Sequence, residues 1–121
     1  MHELSLCQAL IRQAARVAQE HGAPRITHLH VRIGRLSGVE ADLLQQAFSS
    51  ASRGSIAEGA TLHFEHSPVR IHCPACARDA EVEVNRLACP HCDHWQTQLI
   101  GGDELLLVSV DLGHEREMEH V

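Results

Sequence analysis

Two Cys-x2-Cys pairs, Cys73/Cys76 and Cys89/Cys92, lie twelve residues apart in a chain with only five cysteines. Each pair offers two thiolates from one tight turn. Two such turns facing each other place four sulfurs at the corners of a tetrahedron, the geometry of a structural zinc site. Pro74 and Pro90 stiffen both turns by fixing φ. The competing chemistries are a pair of disulfides or a labile redox couple. A closed four-thiolate site leaves no open position for a substrate, so the ribbon explains part of a fold and not an activity.

The size of 121 residues fits one domain carrying a small module. No apolar run is long enough to span a membrane, and the start, Met1-His2-Glu3-Leu4-Ser5, lacks the basic and apolar regions of a signal peptide. A cytoplasmic location is therefore expected, and a reducing compartment favours zinc over disulfides. Net charge is −6, and over residues 70–98 three arginines meet four acids, so the electrostatic term needed for nucleic acid is missing. All ten basic residues are Arg, which we attribute to genome bias. Eleven histidines beside the cysteine pairs point toward metal handling.

Leu4, Cys7, Leu10, Ile11, Ala14 and Ala18 recur at three and four residues, one apolar face of a helix that Gly22 and Pro24 end. Leu29, Val31 and Ile33 alternate with His28, His30 and Arg32, a half-buried strand. Ser37 with Glu40 has the form of a capping box, opening a second helix on Leu43, Leu44, Ala47, Phe48 and Ala51 that Gly54 closes. Leu62 and Phe64 mark a second strand, and Leu106, Val108, Val110 and Leu112 a third.

The expected fold is α+β: two helices on a three-stranded sheet, with an inserted four-cysteine zinc ribbon. Residues 1–69 form the first segment of the main domain, 70–99 the ribbon, 100–112 the third strand, and 113–121 a polar, mobile tail. The strands on either side of the ribbon are expected to pair antiparallel, with both helices on one face.

Several side chains could carry chemistry. At His2 the terminal amine, the residue's own amide nitrogen and its imidazole can close fused chelate rings, a set that suits Ni(II) or Cu(II). On spacing alone this is weak, since most second residues are plain chain ends. Glu3 could add an oxygen, although an acid at a helix start is favoured in any case. Glu40 is a further candidate ligand. His28 and His30, at i and i+2, could pinch a metal, although a solvated strand face explains them as well. Cys7 falls on the apolar face of the first helix and reads as a small buried hydrophobe. His72, His91 and His94 could orient the knuckles, and Trp95 is expected to pack the ribbon core. His114, Glu115, Glu117, Glu119 and His120 could hold metal loosely. No H-E-x-x-H, phosphate-binding Gly-rich loop or GxSxG elbow is present.

Six segments together carry a resemblance. They are Met1-His2-Glu3-Leu4-Ser5, Ile33-Gly34-Arg35-Leu36-Ser37-Gly38-Val39-Glu40, Glu58-Gly59-Ala60-Thr61-Leu62, Cys73-Pro74-Ala75-Cys76, Cys89-Pro90-His91-Cys92 and Gly102-Asp103-Glu104-Leu105. Over about residues 1–112 the chain resembles the HypA/HybF proteins, nickel metallochaperones of hydrogenase maturation. The resemblance implies a nickel-binding α/β domain, a zinc domain, and no catalytic turnover. It implies Ni(II) delivery to the [NiFe]-hydrogenase large subunit alongside the GTPase HypB, with urease and its accessory proteins served by some members. The nickel ligand carries onto His2, with the backbone nitrogens of His2 and Glu3 and the Glu3 side chain implicated. The zinc ligands carry onto Cys73, Cys76, Cys89 and Cys92, and no role transfers to the tail after Leu112. The rival readings are a zinc-ribbon module that binds nucleic acid or protein without delivering nickel, and a thiol oxidoreductase that uses the knuckles.

Overall fold

A computed structural model describes residues 2–114 and, of His2, the backbone. The proposed ligands Glu115, Glu117, Glu119 and His120 lie outside the described residues. The order is α1 (His2–Glu20), β1 (Arg25–Gly34), α2 (Ala41–Ala51), β2 (Thr61–Ser67), β3 (Val69–Cys73), β4 (Arg78–Val82), β5 (Gln98–Gly101) and β6 (Leu105–Gly113). The strands form two sheets, β2-β1-β6 and β4-β3-β5. The chain also divides into two compact units. Of the described residues, one comprises 2–31, 40–64 and 106–114, the other 32–39 and 65–105.

The α+β class and the three-stranded main sheet agree with the sequence, but two details of the sheets differ. The strands that flank the ribbon, β2 and β6, do not pair with each other, because β1 lies between them. β1 is the strand with the fullest apolar alternation, and a strand buried in this way takes the centre of a sheet. The second difference is that the ribbon carries a sheet of its own. There Val69 faces Val82, Ile71 faces Ala80 and, on the other side, Leu99.

In the first unit, the repeat on α1 buries Cys7, Leu10, Ile11, Ala14 and Ala18, and α2 buries Leu44 and Phe48. Leu29 and Val31 are buried on one face of β1, while His28 and His30 on the other are half-exposed. The buried helical faces and this apolar sheet face supply each other's cover. Cys7 donates its thiol to the Leu44 carbonyl at 3.3 Å, tying α1 to α2. Burial, and after it the charge of Glu3, pushes the Cys7 thiol up to about 11, so it is inert, as its place on the apolar face implies.

α1 ends as its sequence directs. Gly22 takes φ +63, the Ala23 amide donates to Ala18 O and the Gly22 amide to Gln19 O, which is the Schellman pattern. α2 does not start as expected. Its N-cap is Glu40, which makes no side-chain cap, and Ser37 Oγ instead accepts the Val39 amide at 3.2 Å. Gly38 at φ +76 turns the chain between Ser37 and the helix, so Ser37 stands out of phase with the first helical amides. Leu43 is exposed rather than on the core face. On β6, Leu106 and Val108 are exposed although Val110 and Leu112 are half-buried. The in–out alternation changes phase near Ser109, a change that a strand at the edge of its sheet tolerates.

In the second unit, Gly34 and Gly102 approach so closely that a Cβ on Gly34 would collide with the Gly102 carbonyl group. A Cβ on Gly102, at φ +106, would stand 2.7 Å from Val69 Cα. The contact is fastened by Gly34 N–H to Glu104 O at 2.7 Å and Leu36 N–H to Gly102 O at 2.6 Å. The Glu104 carboxylate accepts from Ser67 Oγ and from the Gly102 amide, each at 2.7 Å. Those hydrogen bonds, Ser67's first, hold its pKa below the ordinary carboxylate value. Gly34→Ala is expected to cost about 2 kcal/mol or more of stability, because the obstruction is backbone that cannot step aside. Chemical denaturation of the variant beside Gly101→Ala, where a Cβ meets only ordinary contacts with the Arg70 side chain, checks the steric origin.

Candidate metal centre

The four knuckle cysteines converge. Their sulfurs all lie within 4.8 Å of one another, with Cys73 Sγ 3.6 Å from Cys92 Sγ and Cys76 Sγ 3.6 Å from Cys89 Sγ. Bonded sulfurs would stand at about 2.05 Å, so these are not disulfides. Four thiolates on zinc at about 2.3 Å would stand about 3.8 Å apart along each tetrahedral edge. The sulfur positions therefore fit a tetrahedral four-thiolate ion.

The two knuckles reach this arrangement through the same backbone turn. The Ala77 amide donates to Cys73 O at 2.8 Å, and the Asp93 amide to Cys89 O at 2.8 Å. The residue after each second cysteine, Ala77 at φ 58 and Asp93 at φ 62, is left-handed. Asp accepts that conformation more readily than Ala. β3 and β4 carry the first knuckle between them, since Cys73 ends β3 opposite Arg78 at the start of β4. The second knuckle lies in the long connection to β5 and is closed by the Cys89 amide donating to His94 O at 2.9 Å.

Around the sulfurs, backbone amides are the nearest donors. The His91 amide reaches Cys89 Sγ at 3.4 Å. Burial and then the surrounding thiols, that of Cys89 foremost, push Cys76 up to about 12. Cys89 moves the other way, to about 7: burial raises it, but the amides of His91 and Cys92 and the neighbouring thiols outweigh that. The histidines of the region serve through their peptide groups, while the His72 imidazole is turned to Asp79 at 2.7 Å. Trp95 is 74% exposed and does not pack the ribbon core as expected. The buried apolar residues of the second unit are Ile33, Val69, Ile71, Cys73 and Cys89, and a unit with so little apolar volume leans on its metal.

At the other candidate site, α1 begins at His2, which puts the peptide nitrogens of His2 and Glu3 in the first turn. An open groove of about 350 Å³ beside that turn is lined by Glu3, Leu4, Leu43, Gln46, Ala47 and Ser50. Glu40, at the N-cap of α2, is exposed. His28 and His30 share one face of β1, as expected. What the sequence reading passed over is His63 on β2, whose Nε2 is 2.9 Å from His28 Nδ1. Strand alternation marks it, because His63 stands between Leu62 and Phe64 and so takes the opposite face.

The family profile described as "Hydrogenase/urease nickel incorporation, metallochaperone, hypA" matches residues 1–112. The chain belongs to the HypA family. It is 45% identical over 112 residues to the hydrogenase maturation factor HypA of Nitrosospira multiformis, covering 93% of this chain and 97% of that one. It is 38% identical to the HypA of Aquifex aeolicus, covering 93% and 97%. The solution structure of the Ni metallochaperone HypA from Helicobacter pylori superposes with a TM-score of 0.72 at 23% identity, covering 93% of this chain and 98% of that one, which shows a shared fold. A second HypA solution structure gives 0.74 at 25% identity.

Zinc loading is expected at one ion per chain. Cys76→Ser should lose that ion and the hydrogen-exchange protection of β3–β5, while the helical circular dichroism of α1 and α2 persists. Lower pH should release zinc, because protons compete for thiolates. Metal analysis with thiol titration reads both. Iron in place of zinc, or no metal with four titratable thiols, would contradict the assignment.

Proposed function

We propose that this chain is a nickel metallochaperone of hydrogenase maturation. In this reading it takes Ni(II) at its N-terminus and passes it to the [NiFe]-hydrogenase large subunit with the GTPase HypB, and in some settings to urease accessory proteins. The observation that carries it is family membership over residues 1–112, which includes the Met1-His2-Glu3 start. His2 supplies the imidazole and its own amide nitrogen, and Glu3 an amide nitrogen and a carboxylate. Both nitrogens fall in the first turn of α1, where an α-helix has no carbonyl one turn back for its amides. An amide nitrogen can therefore be given to a metal without breaking the helix ladder.

Zinc has the complementary role. Cys73, Cys76, Cys89 and Cys92 occupy all four positions of a tetrahedral ion, so the zinc holds the ribbon and turns over nothing. Nitrogen and oxygen donors at the N-terminus and sulfur donors in the ribbon suit different ions, so donor chemistry distinguishes the two metals. The chain acts as a carrier, not an enzyme.

Handover needs an acceptor close to the donor ligands. The groove beside the first turn, with the exposed Leu43 on its wall, offers an apolar foothold there. Gln13, Arg16 and Glu20 form an exposed polar stripe on α1 suited to the GTPase partner. A cytoplasmic location suits thiols that must stay reduced, and among the described residues no helix is long and apolar enough to cross a membrane.

His2→Ala should abolish N-terminal nickel binding while fold and zinc content stay unchanged. A truncation at a chain end removes little buried area and should cost well under about 1 kcal/mol. Nickel titration of zinc-loaded wild type and variant, both shown folded, is the test. A variant that retains the N-terminal event at wild-type affinity would refute the assignment of His2.

A further inference from the structure

Away from the helices, the main sheet carries a group of side chains that neither metal role uses. β1 contributes His28 and His30, β2 contributes His63, and β6 contributes Asp111. His28 Nδ1 lies 2.9 Å from His63 Nε2. The His30 and His63 rings stack with centroids 4.8 Å apart, and the His28 ring stands 5.0 Å from His63 and 6.3 Å from His30. His30 Nε2 is 3.2 Å from Asp111 Oδ2. The strand is held in place here by Thr27 Oγ1, which donates to Asp111 O at 3.1 Å.

Hydrogen-bond chemistry fixes which nitrogens are donors. A carboxylate only accepts, so His30 Nε2 carries its proton toward Asp111, and in the neutral ring Nδ1 keeps the lone pair. A carboxylate behind the outer N–H of an imidazole is the arrangement that orients metal-bound histidines and raises their basicity. Between His28 and His63 one nitrogen holds a proton and the other a lone pair. If that proton moves to the far nitrogen of its own ring, both rings turn lone pairs to one point, with no net change in protonation. Two imidazole nitrogens bound to one ion at about 2.0–2.1 Å and about 90° to each other stand about 2.9 Å apart. The observed separation already has that bite, and a tilt of each ring completes it.

We propose that this patch is a second metal site, taking a divalent late first-row ion on the imidazoles of His28 and His63, with the stacked His30 ring, fixed by Asp111, beside them. Such ions favour imidazole, and Ni(II), Cu(II) and Zn(II) all qualify. The side-chain exposures, 38% for His30 and 55% for Asp111, leave the remaining positions to water. Two side-chain ligands on an open strand face make a site that exchanges its ion, unlike the closed thiolate centre. The site does not depend on His2 or on delivery to hydrogenase, since its ligands lie on β1 and β2.

The test is Ni(II) titration of the full-length, zinc-loaded protein, followed by calorimetry and by the imidazole resonances in NMR. Wild type should show a second saturable event near one equivalent that broadens the His28, His30 and His63 ring signals. His2→Ala should keep that event. The double variant H28N/H63N should lose it and retain the N-terminal event, with helical circular dichroism unchanged. A double variant that binds as much nickel as wild type would overturn the site, as would ring signals untouched at saturation. If His2→Ala changes nothing while H28N/H63N removes one event, the N-terminal reading fails and this one stands.

Discussion

Four sulfurs gathered within 4.8 Å set the terms for the rest of the second unit. As thiolates they repel, and as thiols they make poor hydrogen bonds, so the arrangement is stable only when a cation neutralises it. The sequence supports that cation at every level. Matching turns deliver the two knuckles, residues 77 and 93 accept left-handed backbone, and peptide N–H groups point at sulfur. Little apolar surface is left to hold the second unit otherwise, with Ile33, Val69 and Ile71 as its only fully buried aliphatic side chains among the described residues. The metal's binding energy here takes the place of a core.

This division of labour clarifies which shared motifs concern function and which concern shape. The Ile33-to-Glu40 and Gly102-to-Leu105 segments contain charged residues and resemble parts of a site. They serve as a backbone clasp. Gly34 and Gly102 are glycines because neither position has room for a Cβ, and Glu104 closes the turn through Ser67 and the Gly102 amide. Glu58 has a similar task, accepting the Gly54 amide at 3.0 Å before the chain enters β2. In the proposed reading, the donors for nickel and similar ions are the nitrogens of the first turn and the imidazoles of the sheet.

Most of the fold was legible where a residue's periodicity and its burial have one cause. The α1 repeat, the Schellman end at Gly22 and the alternation of β1 all come from local patterning that tertiary packing reinforces. The cysteine spacing was equally direct. Reading failed where a neighbour decides the outcome. Ser37 and Glu40 have capping-box spacing, yet the turn at Gly38 takes Ser37 out of phase. Trp95 is large and apolar, the mark of a core residue, but it is 74% exposed in a ribbon that has few apolar side chains to cover it. Leu106 and Val108 keep the period-two spacing and still face solvent, because the in–out alternation of β6 changes phase near Ser109. His63 has no local mark beyond its alternation with Leu62 and Phe64, and its partnership with His28 depends on β2 lying beside β1, which no local pattern states.

Separation of two metals by donor chemistry is tested most directly by X-ray absorption at the zinc and nickel edges of one sample loaded with both. Four sulfurs at about 2.3 Å on zinc, and only nitrogen and oxygen on nickel, are the expected result. Sulfur in the nickel shell, or nitrogen in place of sulfur at zinc, would contradict it, because the knuckles would then be exchanging ligands with the cargo rather than holding the ribbon.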